Sequence, residues 1–297
     1  MVKKILCILI IIICIFYLTN NFIHISNMDF FENKNQYIFP KIIYGYWDNL
    51  DTNPVIQSHI NTWKRNISKD WKIIILNKNN VSKYVSSDFM NKYNKLDPTR
   101  FADFLRVDLL SNNGGVWLDA SIIITNGKFL DTYYNEMVKY KYDACLYELK
   151  VRTIDKNIPY LENWFIMSPK NSKLITDLYV QFDKAYKMGF LNYKKQILIP
   201  SNMILDKTIG YGDRTYLMQH AIINYLIHIG NKYNINIKNA SESMFKIHIN
   251  NEWKDDKIIK FILDNDDWNN YYALKLVKSN RRSIHNIDEY ISKINSF

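Results

Sequence analysis

Cysteine is scarce: three in 297 residues, with Cys7 and Cys14 inside an apolar N-terminal run and Cys145 alone. That set builds neither a disulfide framework nor a zinc-ligand pattern, so cysteine use leaves the compartment open. With 8 glycines and 6 prolines there is no low-complexity linker, and no internal repeat is visible. No Lys/Arg block is dense enough for a nucleic-acid patch; the largest late clusters are Lys194-Lys195 and Arg281-Arg282. The clustered histidines and carboxylates of a metal-dependent phosphohydrolase are also missing, which counts against hydrolysis built on Asp119. No Ala-x-Ala-like cleavage site follows the N-terminal apolar run.

What is present fits a folded chain. Hydrophobic residues make up 47% and charged residues 23%, enough for one large domain or two small ones. The net charge of +10 favours anionic partners. Without a dense basic block, two readings stand: a solvated lysine-rich surface, or a site that receives a diphosphate.

Lys3 and Lys4 precede an uncharged apolar run over 5–18. Extended through Ile25, the stretch spans about 31 Å as a helix. We read 1–25 as an uncleaved signal-anchor, with a cleaved signal peptide as the alternative. The two lysines then hold the N-terminus in the cytosol, giving a single-pass type II membrane protein with a short stem over 26–38. Three N-x-S triplets, at Asn66, Asn80 and Asn239, fit a secretory lumen, although a chain this rich in asparagine produces such triplets by chance.

From Pro40 onward β-type runs (41–47, 71–77, 116–125, 143–149, 163–169) alternate with helical patterns (55–66, 81–94, 97–113, 172–189, 212–230). Alternation of this kind predicts a doubly wound α/β sheet within one domain over 39–290.

The stretch 97–125 carries the chemistry. Asp97 can cap a helix, Pro98 suits its first position and Gly114 can end it. Phe101, Phe104, Leu105, Val107, Leu109 and Leu110 wrap most of its circumference, so the helix is buried. Asp103 and Arg106 nevertheless share one of its faces. They form either an internal ion pair or a pair facing a ligand, and burial demands a partner in both cases. In the following strand, alternation puts Trp117, Asp119 and Ser121 on one face. A carboxylate and a hydroxyl near a strand's carboxyl end can hold a divalent cation or accept from a ribose hydroxyl; a structurally satisfied Asp at a turn is the other reading.

The block "RFADFLRVDLLSNNGGVWLDAS" resembles the centre of the capsular polysaccharide synthesis proteins, relatives of the DxD-type sugar transferases. "KIIYGYWDN", "SHINTWKRN", "ENWFIMSPKNSKLI" and "YLMQHAIINYL" extend the resemblance over roughly 40–230. It implies a GT-A fold, a Rossmann-like mixed sheet flanked by helices. It implies a nucleotide-sugar donor, a glycan or polysaccharide acceptor, retention at the anomeric carbon, and a divalent cation, usually manganese with magnesium as the alternative. By position, Asp119 matches the first DxD aspartate, Asp103 would contact ribose or sugar, and Arg106 would lie near the donor; these three are the catalytic candidates. Tyr46 and Trp47 would stack on or flank the nucleobase. Ser121 replaces the second Asp, as in the capsular branch, and a hydroxyl is the poorer cation ligand. His248 would be a metal or phosphate ligand unless it is a surface strand histidine, and Trp253 would lie over the diphosphate. Glu162 and Asn163 would touch the acceptor, or simply be loop polarity. His220 reads as a satisfied core histidine. The resulting expectation is a membrane-anchored glycosyltransferase, its domain in a secretory-pathway lumen supplied with nucleotide sugars. A non-catalytic sugar-nucleotide or glycan-binding relative is the alternative, on the strength of Ser121.

Overall fold

The first elements form where local signals are strongest. Strand β1 (Ile42–Tyr46) leads into helix α1 (Pro54–Asn66), which Asn53 caps by accepting from Ile56 N at 3.1 Å, with Pro54 in the first turn. Strand β2 (Lys72–Leu76) and the short helix α2 (Ser87–Tyr93) follow. Asp97 caps helix α3 (Pro98–Asn113) by accepting from Thr99 N and Arg100 N, both at 3.1 Å. Strands β3 (Gly115–Leu118) and β4 (Ile122–Ile124), helix α4 (Lys128–Tyr140), strands β5 (Ala144–Glu148) and β6 (Leu161–Ser168) and helix α5 (Lys173–Met188) come next. Then come α6 (Met218–His228), β7 (Ile235–Asn239), α7 (Lys246–Asn250), α8 (Asp255–Asp264), β8 (Ala273–Lys275), α9 (Lys278–Arg282) and α10 (Ile287–Asn295).

This computed structural model describes residues 37–203, 214–230, 232–268 and 270–297. The expected signal-anchor over 1–25, and the stem as far as residue 36, lie outside the described residues. Among the described residues no helix is long and apolar enough to cross a membrane. The chain divides into a unit Met1–Ile38 and a unit Phe39–Phe297.

In the second unit the six-stranded sheet runs β2-β1-β3-β6-β5-β7. β1 pairs parallel with β2 and β3, and β5 parallel with β7; β6 runs antiparallel to both its neighbours. The sheet is therefore mixed. On one face Tyr44, Trp117, Leu146 and Ile166 pack against α3, α5 and α6. On the other, Phe129 of α4 meets Phe165 at 6.3 Å.

One sequence expectation changes here. The apolar run 116–125 is not one strand. β3 ends at Leu118, the chain turns with Ile122 N donating to Asp119 O (2.9 Å), and β4 joins β8 in a separate antiparallel pair. Strict face alternation therefore stops at Asp119, and the turn brings Ser121 near it. The glycine pair upstream is required by space. Gly115 (φ +112°) enters the sheet where a Cβ would sit 2.7 Å from Ile42 O, and at Gly114 (φ +70°) it would sit 2.4 Å from Lys170 N.

A second core joins β4 and β8 to α7, α8 and α10 through Ile123, Leu274, Ile247, Ile258, Tyr290 and Ile294. The asparagines of the three N-x-S triplets have local structural roles. Asn66 and Asn80 donate through Nδ2 to the carbonyls of Ile124 (2.8 Å) and Ile75 (3.0 Å), and Asn239 Oδ1 accepts from Ser241 N.

Two buried histidines make stability pH-dependent. Burial holds His248 down at about 4. Burial, helped by Arg281 and Lys275, holds His59 at about 3, where its Nε2 shares a hydrogen bond with Tyr290 OH. Unfolded histidine titrates near ~6.5. Below that pH the unfolded chain binds more protons, so stability present at neutral pH is lost as pH falls toward these values. The melting temperature should drop steadily from about pH 7 to about pH 4. His248→Gln, which keeps an N–H for Asn280 Oδ1, should make the fall shallower; a wild-type melting temperature flat across this window would contradict the buried neutral state.

Candidate active site

Sheet topology collects the candidates on one edge. Tyr46 ends β1 and Trp47 follows it, and Asp119–Ser121 follow β3. Because β6 runs the other way, its first residues, Glu162 and Asn163, come to the same edge. Arg106 reaches in from α3 and Lys275 from β8. These residues border one cleft of about 1020 Å³. Binding beyond the carboxyl ends of strands is where an α/β sheet places ligands.

Arg106 organises the polar floor. Its Nη1 donates to Asp103 Oδ1 (2.7 Å) and Gln219 Oε1 (3.0 Å), and its Nη2 donates to Asp119 Oδ1 (3.2 Å). The guanidinium lies 5.2 Å from the Trp117 ring, whose Nε1 donates to the same Asp119 oxygen at 3.0 Å. Arg100 holds Asp103 Oδ2 at 3.0 Å. Gln219 closes the network: Nε2 donates to Asp103 O (2.7 Å), and Oε1 accepts from Asn163 Nδ2 (2.8 Å). The two readings of Asp103 and Arg106 thus meet in one arrangement. They are an internal ion pair, and Arg106 alone of the two borders the cleft while Asp103 stands behind it.

Asp119 Oδ2 accepts from Lys275 Nζ at 2.7 Å, and the same ammonium donates to Ser121 Oγ at 2.6 Å. Burial alone would raise the Asp119 carboxyl, but Lys275 first and Arg106 second outweigh it and hold it below its ordinary value. Burial pulls the Lys275 ammonium down, and the Asp119 charge opposes that pull.

The other walls differ in character. Trp47 lies under the Arg281 guanidinium, 5.3 Å from its ring, and its buried Nε1 has no hydrogen-bond partner. Tyr46 has its ring against Phe101 (5.4 Å) and its hydroxyl on Asp48 Oδ1 (2.9 Å), which leaves Trp47 as the main aromatic face of this wall. Trp253, 39% exposed, borders the cleft from the far side. Glu162 and His220 form a pair across the wall, with Nε2 of His220 3.2 Å from Glu162 Oε2 and the imidazole stacked on Tyr160. His220 is buried, as the sequence suggests, yet it borders the cleft. Among the described residues, six cationic side chains (Arg106, Arg152, Arg214, Lys275, Lys278, Arg281) and three carboxylates line the cleft, so its field attracts anions.

The resemblance implies a divalent cation, and the donor atoms can be tested for it. Such a cation needs oxygen ligands with lone pairs free to face it. Here Arg106 and Trp117 occupy Asp119 Oδ1, while Lys275 occupies Asp119 Oδ2 and Ser121 Oγ. His248, the third expected ligand, does not border the cleft. It lies buried on α7, not on a surface strand, with Nε2 2.8 Å from Asn280 Oδ1 and its ring against Phe245 and Trp253. No group of three or more His, Cys, Asp or Glu among the described residues is arranged to hold a metal ion. The residues present do not fit a divalent cation at Asp119–Ser121.

The sequence reading does not single out Lys275 or Gln219, and Arg281 enters it only as part of a basic pair. Lys275 is a lone charge in the apolar run 273–277, the same kind of signal as Asp119 in its own run. Gln219 carries no such local mark, and the Arg281-Arg282 pair reads equally well as solvated surface.

Comparisons with known proteins bear on the fold and the family. A stretch of 94 residues, 27% of this chain, is 35% identical to the O-glycosyltransferase braB of Annulohypoxylon truncatum. The match spans 22% of that relative's length. The solved glycosyltransferase GlyE of Streptococcus pneumoniae TIGR4 is similar with a TM-score of 0.50 at 12% identity, over 87% of this chain and 61% of that one. The likeness is one of fold: a mixed α/β sheet flanked by helices, as in GT-A glycosyltransferases. The family model described as capsular polysaccharide synthesis protein matches residues 13–199. With more than half of its length covered by that model, the chain belongs to the capsular polysaccharide synthesis protein family.

Proposed function

We propose that the protein is a glycosyltransferase that moves a sugar from a nucleoside-diphosphate-sugar donor to a glycan or polysaccharide acceptor. The observation that carries the reading is the cation-lined cleft at the strand ends, with the Asp119–Arg106–Lys275 network as its floor. When the anomeric C–O bond breaks, its electron pair leaves on the diphosphate, and negative charge grows there. Preorganised cations aimed at that position stabilise the transition state more than the ground state. Lys275 and Arg281 border the cleft and would take that role, and Trp47 would offer a ring to the nucleobase.

Glu162, Asn163 and His220 border the acceptor side in this reading. We propose retention: the acceptor oxygen bonds the anomeric carbon on the face the diphosphate leaves, and its proton passes to the departing phosphate oxygen. The family membership supports this, and so does the state of Asp119, whose carboxyl Lys275 and Arg106 hold below its ordinary value, which makes it a weak base. No step is assigned to a divalent cation, because the donor atoms do not fit one. An N-terminal anchor over 1–25 of a type II protein, with the domain in a secretory-pathway lumen, belongs to the proposal as well. The uncharged run behind Lys3 and Lys4 supports it, and protease protection of a C-terminally tagged chain tests it.

Incubation with a panel of UDP- and GDP-sugars should release UDP or GDP and label an oligosaccharide acceptor. Tight binding of a nucleotide sugar without turnover would favour the non-catalytic relative, which Ser121 in place of an Asp keeps in view. No binding of any member would contradict both. Glu162→Gln should raise the acceptor KM about tenfold, the scale of one charge-assisted hydrogen bond, while leaving nucleoside-diphosphate affinity unchanged. An unchanged acceptor KM would remove Glu162 from the acceptor side.

A further inference from the structure

The two side-chain oxygens expected to ligate a cation, Asp119 Oδ2 and Ser121 Oγ, are both bonded to one atom, Lys275 Nζ, at 2.7 and 2.6 Å. That nitrogen bridges the two oxygens. Its placement is built into the fold and does not depend on a flexible reach. Lys275 ends β8 and is in register with Ile122 of β4, so the ladder sets it beside the Asp119–Ser121 turn. Its own N–H donates to Met244 O (3.0 Å), and the next N–H, of Leu276, donates to Ser121 O (3.2 Å). The side chain is only 9% exposed. An ammonium has three N–H bonds. Two are used by Asp119 and Ser121, and the residue borders the cleft, where the third can reach a ligand oxygen.

Charge follows the same logic. One ammonium carries half the charge of a divalent ion. Arg281 brings the other half: its Nη1 is tied to Leu276 O at 2.8 Å, one residue beyond Lys275, and its guanidinium borders the same cleft over Trp47. A fixed ammonium beside a planar guanidinium offers phosphate oxygens a point charge and a fork of donors.

Resting on the glycosyltransferase reading above, we propose that Lys275, assisted by Arg281, binds the donor's diphosphate in place of a divalent cation, so that nucleoside-diphosphate binding needs no metal. Asp119 and Ser121 then act as positioning residues for the ammonium.

Isothermal titration of the full chain with UDP and with GDP, first in EDTA and then in excess Mn2+, tests this. The dissociation constant of the better-binding nucleotide should be the same within about twofold in the two buffers. Lys275→Ala should weaken binding in EDTA by about tenfold or more, the cost of one charge-assisted contact, and Lys275→Arg, which keeps a cation, should recover part of the loss. Melting curves identify any variant that fails to fold; the wild-type comparison needs no variant. Wild-type binding that appears only with Mn2+ would overturn the inference, as would a folded Lys275→Ala protein that binds like wild type in EDTA. Binding of neither nucleotide in either buffer would instead overturn the donor-site reading on which the inference rests.

Discussion

Asp119→Ala is expected to lower the rate of sugar transfer by about 10²- to 10³-fold, the scale seen when one preorganised electrostatic group is removed from an active site. The carboxylate makes no bond in the proposed reaction. Its effect runs through the cations that it holds: Arg106 Nη2 at 3.2 Å and Lys275 Nζ at 2.7 Å both lose their counter-charge, and Trp117 Nε1 loses its acceptor. An ammonium released from Asp119 is free to turn away from the position the diphosphate would take. Asp119→Asn should behave differently in degree, since an amide oxygen can still accept from one of these donors. The measurement is UDP or GDP release under saturating donor, with the melting temperature followed in parallel. Asp119 is 26% exposed, so its removal should cost less stability than the loss of a fully enclosed charge. Transfer at the wild-type rate by the alanine protein would remove the Asp119 network from the reaction.

The second large effect is on stability. Arg106→Ala should destabilise the fold by about 3 kcal/mol, the lower end of what breaking a buried ion pair from one side costs. Its side chain is 5% exposed, and it bridges Asp103, Gln219 and Asp119 at once. Removing it strips Asp103 of one guanidinium while Arg100 stays in place at 3.0 Å, which is why the low end applies. The melting temperature should fall by about 6–12 °C. Arg106→Lys should restore little, because a single ammonium lacks the planar fork that reaches both carboxylates. As an internal control, Lys173→Ala breaks the exposed Lys173–Asp177 pair and should change stability by less than about 1 kcal/mol. An Arg106→Ala protein as stable as wild type would mean that the floor network contributes nothing to the fold.

Much of this site is readable in the sequence because its signals are local. Asp97, Pro98 and Gly114 frame α3 at the positions that capping chemistry dictates. Asp103 and Arg106 fall on one face because a helix repeats every three to four residues. The β1, β2, β5 and β6 runs are found because apolar stretches bounded by polar turns have few other ways to be buried. The 116–125 run misleads for a physical reason. Its apolar residues are buried throughout, as one strand would require, but they serve two different sheets, and nothing in their pattern marks the turn at Asp119. His248 misleads in the opposite sense. The resemblance implies a late histidine as a metal or phosphate ligand, whereas the ring of His248 fills a pocket against Phe245 and Trp253. Lys275 is the largest omission. It lies 156 residues from Asp119 and reaches it only because β8 pairs with β4, a long-range choice that no local period reveals.

A structure of the protein soaked with UDP or GDP, whichever binds more tightly, in the absence of divalent metal tests the central claim most directly. The account predicts the β-phosphate within hydrogen-bond distance of Lys275 Nζ, with the base on the Trp47 side of the cleft. The nucleotide bound elsewhere, or in the cleft with its phosphates turned away from Lys275 and Arg281, would contradict it.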